Sequence, residues 1–299
     1  MKIITPTAIV LTCLLANAAA KKDFMPDHSD HGQEHIMTAA DFDGAGAKMR
    51  VCPSGDCTSG KFMSLAVTSL TEYDAAGANV TTIDKFTPKD SDWTAIETSV
   101  MYGVNVSSTS FIVNLEVGAA NIAVVFNLTA SIFQGNATVE YGSQNLTVPA
   151  GALKFTVDIS DWPFVSPGNS LALAVSLDAK GSKGKALGKP AKKAKGTDIK
   201  TDRVDLGESM FMDVPTYAFV DGEEVQLKNS SVVVSAGATS FEWVFPSFEN
   251  TLHYDPVLGE DTTTTATSTT DTPTPSPASK LSLSGLAAVG LAALTFGFF

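Results

Sequence analysis

Three histidines lie close together near the N-terminus, His28, His31 and His35, with Asp27, Asp30 and Glu34 among them. On a helix their spacing of three and four residues would put all three imidazoles on one face, where they could share Zn²⁺ or Cu²⁺. Gly32 weakens such a helix, and polar stretches near a chain end are seldom ordered. The spacing therefore predicts a weak, adventitious metal site at most. His253 is the only other histidine, so a Ser-His-Asp device would have to use it. The nucleophile elbow G-x-S-x-G, the H-E-x-x-H zinc helix, the P-loop and the G-x-G-x-x-G fingerprint are all missing. Asp158 and Asp161 have the residue type of a glycosidase carboxylate pair, yet alternation puts Asp158 on the solvated face of a strand. Ca²⁺ prefers several hard oxygens. Asp90 and Asp92 in "KDSDW", with Asp221, Glu223 and Glu224 in "DGEE", are ligand candidates by type, without EF-hand spacing. Asp43-Gly44 and Asp221-Gly222 read as turns.

Cys52 and Cys57 flank "PSGD" and, in an oxidising compartment, predict a local disulfide. A bridge over so short a loop stabilises little. The formal net charge is −12, but it is unevenly spread. Residues 180–203 hold eight Lys and one Arg against two Asp, including Lys183, Lys185, Lys189, Lys192, Lys193 and Lys195. This segment reads either as a solvated insertion or as a contact for an anionic polymer, a lipid surface or an acidic neighbour. The overall acidity, and the lack of aromatic residues among those lysines, argue against nucleic acid. Six of the eleven asparagines head N-x-S/T sequons: Asn79, Asn105, Asn127, Asn136, Asn145 and Asn229. A glycosylated surface protein is the expectation.

These residues must be positioned by strands. Period-two alternation runs through "FIVNLEV", "IAVVFNLT", "LKFTVDIS", "LALAVSL" and "SFEWVF", with turn residues between, and no long helical period appears. The pattern predicts an all-β domain, an antiparallel β-sandwich or jelly roll, over 61–258. Alternation sends Asn127 outward. Pro163 ends the strand before it, and Trp162 and Phe164 read as aromatic plugs at a sandwich corner. Residues 1–20 have the charged start, apolar middle and small-residue cleavage site of a signal peptide. Residues 21–60 read as a disordered acidic segment carrying the histidines and the disulfide. A Ser/Thr/Pro stalk follows at 259–280, and an apolar tail at 281–299. With no basic residue behind it and small residues in front (Ser276, Ala278 and Ser279 are attachment candidates), the tail fits a GPI signal; a single membrane span is the alternative.

Six stretches carry a resemblance: "LTEYDAAG", "SDWT", "SFIVNLEV", "LKFTVDISDWPF", "AFVDGEEV" and "FEWVFPSFENTLHYDPVLG". In order and content they resemble the acidic skeletal organic matrix proteins, also called skeletal aspartic acid-rich proteins, across about Ser64 to Leu258. The resemblance implies a secreted, acidic domain tied to a matrix, and it brings no catalytic residue with it. The chain lacks the long Asp/Glu runs that would array carboxylates for mineral, and carries the lysine-rich segment instead. The reading is a non-catalytic, glycosylated cell-surface or matrix protein that engages cations or anionic polysaccharide, with Ca²⁺ the only cofactor candidate. A carbohydrate-binding module is the alternative and would need Trp93, Trp162 or Trp243 exposed. A glycoside hydrolase is a third reading.

Overall fold

In the computed structural model, the described residues are 22–24, 38–43, 47–53, 55, 57, 60–86, 93–180, 191–194, 201–235 and 238–261. Every regular element among them is a strand. In chain order these are β1 (Lys22–Phe24), β2 (Ala39–Asp43), β3 (Lys48–Cys52), β4 (Phe62–Tyr73), β5 (Asn79–Ile83), β6 (Glu97–Met101) and β7 (Val104–Val117). Next come β8 (Ile122–Phe133), β9 (Ala137–Tyr141), β10 (Gln144–Val148), β11 (Leu153–Ser160), β12 (Ser170–Lys180), β13 (Ala191–Ala194) and β14 (Thr201–Gly207). The last are β15 (Met210–Pro215), β16 (Tyr217–Val220), β17 (Glu223–Gln226), β18 (Asn229–Ser235), β19 (Ala238–Pro246), β20 (Thr251–Tyr254) and β21 (Val257–Glu260).

Two open antiparallel sheets face each other as a β-sandwich. The first runs β1-β2-β3-β4-β12-β19-β18, with β5 also on β4. In the second, β6-β7-β8 leads to β11, whose other flank is shared by β20 and β21. From there the sheet forks, through β20 to β16 and β17, and through β21 to β15, β14 and β13. Period two decides what lies between the sheets. Leu171, Leu173 and Val175 of β12 and Phe241, Trp243 and Phe245 of β19 meet Phe111 and Val113 of β7, Phe126 of β8, and Phe155 and Val157 of β11, all buried. Trp243 spans the layers, its ring 6.3 Å from Phe155 and 5.5 Å from Tyr254.

The sandwich begins earlier than residue 61. β3 pairs with β4, β2 with β3, and Phe42, Met49 and Val51 are buried in the main core. Most of 21–60 that is described is therefore part of the domain. A second feature has no counterpart in the sequence reading. The β9–β10 hairpin forms its own two-stranded sheet. Its Val139, Tyr141, Leu146 and Val148 make a separate buried cluster with Val106, Phe133, Tyr217 and Val257. The last four point away from the main core, so the hairpin is a flap on the outer face of the second sheet.

The corner after β11 is closed by a buried acid. Glu72 of β4 is 1% exposed and accepts from Trp162 Nε1 at 3.3 Å, Val165 N at 2.9 Å and Asn169 Nδ2 at 2.5 Å. Trp162 is buried, and Phe164 meets Phe248 edge-on at 5.1 Å. The Trp-Pro-Phe stretch is thus a corner plug, bolted to the opposite sheet.

Candidate functional site

The outer face of the second sheet gathers the polar groups closest to chemistry. On β11, alternation buries Leu153, Phe155, Val157 and Ile159 and turns Lys154, Thr156, Asp158 and Ser160 outward. Register supplies the neighbours, with Asp158 opposite Asn127 of β8 on one flank and His253 of β20 on the other. His253 Nδ1 lies 2.7 Å from Asp158 Oδ1, and its Nε2 lies 3.3 Å from Asp255 Oδ2. Asp255, 3% exposed, also takes Lys154 Nζ at 2.7 Å and the Thr156 hydroxyl at 2.6 Å. Beyond β11 the strip continues as hydroxyl pairs, Ser110 with Thr129 and Ser108 with Ser131, each at 2.8 Å. The flap borders it through Tyr141, whose ring, like that of Phe219 on β16, lies about 6 Å from that of His253.

Charge fixes the state of this strip. Burial by itself would lower the His253 pKa, but hydrogen bonds and charge from Asp158 and Asp255 outweigh it and raise the value from 6.5 to about 9. Burial would likewise raise Asp255, but His253 and Lys154 bring it from 3.8 down to about 2. At neutral pH the imidazole is therefore a cation facing a carboxylate on each nitrogen. A general base needs a free ring nitrogen, and His253 has none to offer a serine or a water. The strip is built as an internal ion network.

His28, His31, His35, Asp90 and Asp92 lie outside the described residues, as do Lys183, Lys185, Lys189, Lys195, Ser276, Ala278 and Ser279. Lys192 and Lys193 belong to β13, which pairs with β14. Cys52 and Cys57 form a disulfide. Asp221, with φ +53°, opens the turn between β16 and β17 and accepts from the backbone N–H of Glu249, Asn250 and Thr251 at 2.7–2.9 Å. Burial by itself would raise its carboxyl, but those hydrogen bonds together outweigh it and hold the group below the usual carboxylate range. Glu224 accepts from Ser143 N and the Ser143 hydroxyl at the flap tip, whereas Glu223 is exposed. The "DGEE" acids are thus spread over separate tasks. Among the described residues, no group of three His, Cys, Asp or Glu is arranged to hold a metal ion.

Asn79, Asn105, Asn136, Asn145 and Asn229 are exposed. Asn127 is half-buried and donates from Nδ2 to Asp158 Oδ2 at 3.4 Å, so its outward direction leads into the ion network. Asp161 is exposed just after β11, apart from the network. Trp93, Trp162 and Trp243 are 1%, 3% and 0% exposed, so none is a platform for a sugar ring. Sequence reasoning missed Lys154, Thr156, Asp255 and Glu72. The parity of β11 marks the first two as outward, but nothing local marks Asp255 as their partner 99 residues from Thr156.

No helix among the described residues is long and apolar enough to cross a membrane. A search of curated proteins finds no match. The family model described as acidic skeletal organic matrix protein matches residues 55–289, most of the sandwich and part of the C-terminal region. The chain belongs to the acidic skeletal organic matrix protein family.

Proposed function

We propose that the protein is a non-catalytic, glycosylated component of the extracellular matrix or cell surface, held by a C-terminal lipid anchor. Its acidic body engages cations diffusely, Ca²⁺ among them, and its lysine-rich segment engages an anionic polysaccharide. Family membership supports the extracellular matrix setting. One observation carries the non-catalytic reading: His253 is locked as a cation between Asp158 and Asp255. Net charge of −12, with no group of three His, Cys, Asp or Glu arranged for a metal ion among the described residues, favours weak cation binding over a stoichiometric site. Burial of all three tryptophans weighs against a carbohydrate-binding module built on them.

A binding screen of the deglycosylated protein tests the reading. The expected result is retention on a sulfated polysaccharide that salt abolishes, shallow Ca²⁺ binding, and no glycan hydrolysis. Turnover of any glycan would overturn it. The anchor is tested on intact cells, where phosphatidylinositol-specific phospholipase should release the protein; retention after treatment favours a membrane span.

A further inference from the structure

A strand hydrogen-bonded on one flank only exposes a row of N–H and C=O groups to any other strand, and natural sheets guard such edges with charges, prolines or bulges. Among the described strands, eight have one paired flank: β1, β5, β6, β9, β10, β13, β17 and β18. Five of them carry a charged residue, in "KDF", "ETSVM", "ATVEY", "AKKA" and "EEVQ". Three carry none: β5 "NVTTI", β10 "QNLTV" and β18 "NSSVVVS". None of these three contains proline either. β18 in particular combines high β-propensity with no charge, the composition that favours strand stacking between chains.

Each uncharged edge strand, and none of the charged ones, contains the asparagine of a sequon. Asn79 is the first residue of β5, Asn229 the first of β18 and Asn145 the second of β10. All three side chains are exposed, so a saccharide on each finds solvent. Asn127 and Asn105 lie on strands paired on both flanks, and Asn136 precedes β9, which has Glu140. The distribution is complementary: where charge is missing from an edge, a sequon stands.

We propose that N-linked oligosaccharides on Asn79, Asn145 and Asn229 guard the uncharged edges of this protein, excluding a second copy of the chain from pairing there. This rests on the glycosylated reading given above. A bulky, hydrated glycan at the start of a short edge strand blocks approach of another backbone as an edge lysine does.

The test uses the full chain made in glycosylating eukaryotic cells and extracted in detergent. Glycosidase release in heavy-oxygen water, followed by peptide mapping, reads which asparagines carried sugar. Light scattering after size-exclusion chromatography then compares four proteins. The wild type and the control N105Q/N136Q should be monomeric. N79Q/N145Q/N229Q should shift to dimers and larger species as concentration rises. N79K/N145K/N229K, which lacks the same sugars but regains charge on each edge, should return to monomer. A Gln triple variant as monomeric as the wild type would overturn the edge role while leaving glycosylation intact. Self-association of the Lys variant equal to that of the Gln variant would also overturn it. Empty Asn79, Asn145 and Asn229 in the wild type would overturn the glycosylated reading at these positions, and the edge role with it.

Discussion

His253, with a carboxylate beside each ring nitrogen, is a fixed positive charge, and that sets how the protein answers pH. Its pKa is raised, so its contribution to stability is fully present below the unfolded value near 6.5 and is lost as pH rises through about 9. Asp255 acts in the opposite sense, contributing above about 3.8 and failing as pH falls through about 2. H253Q should therefore lower Tm at neutral pH and flatten the alkaline limb of the Tm–pH curve; an unchanged limb would remove His253 from the account. Because the ring is partly open to solvent, screening keeps the effect modest. Glu72 has a larger stake. E72A strands the donors of Trp162, Val165 and Asn169, and should cost about 2–4 kcal/mol in denaturant midpoint measurements. Neither acid's role was legible in the sequence. Parity along β11 put Asp158 outward, but its histidine lies 95 residues away and only register brings them together.

Among the elements, the flap is the one most open to a single change. Gly142 has φ +62° at the β9–β10 turn, and a Cβ there would lie 2.5 Å from Glu224 Oε2 and 2.8 Å from Phe219 Cζ. G142A should loosen the tip and destabilise by about 1–3 kcal/mol. Amide exchange should quicken over 137–148 and hold steady in β12 and β19. The flap is also held by a reciprocal pair, in which Tyr141 OH donates to Tyr217 O and Tyr217 OH to Tyr141 O. The long strands were legible because half-buried strands alternate and no helical period competed. The flap was not, since "ATVEY" and "QNLTV" alternate like any other strand and nothing in them says which face they cover. β2 and β3 escaped for another reason: each is five residues long, and "AADFD" and "KMRVC" mix charge into the buried pattern.

The whole molecule is held by its core more than by its covalent link. The disulfide closes a loop only five residues apart in sequence, so C52A/C57A should cost about 2 kcal/mol or less and leave unfolding cooperative. A two-step unfolding curve for that variant would show that β1–β3 depend on the link. At this scale the sequence said most: the family was visible in short aromatic and acidic stretches, because corner plugs and turns such as Trp162-Pro163 and Asp221-Gly222 demand particular residues. The fork of the second sheet was invisible, since it depends on β20 and β21 sharing one flank of β11. That placement has a mechanical side. β21 is interior, hydrogen-bonded to β15 along its length and to β11 at its start, and Lys61 pairs with Glu260 while Arg203 pairs with Asp261 at its end. Tension drawn through the chain beyond Asp261 runs along this strand, so the ladders on its flanks bear load in shear and must yield together. Pulled from that end, the domain would resist through several backbone bonds at once instead of releasing them one at a time.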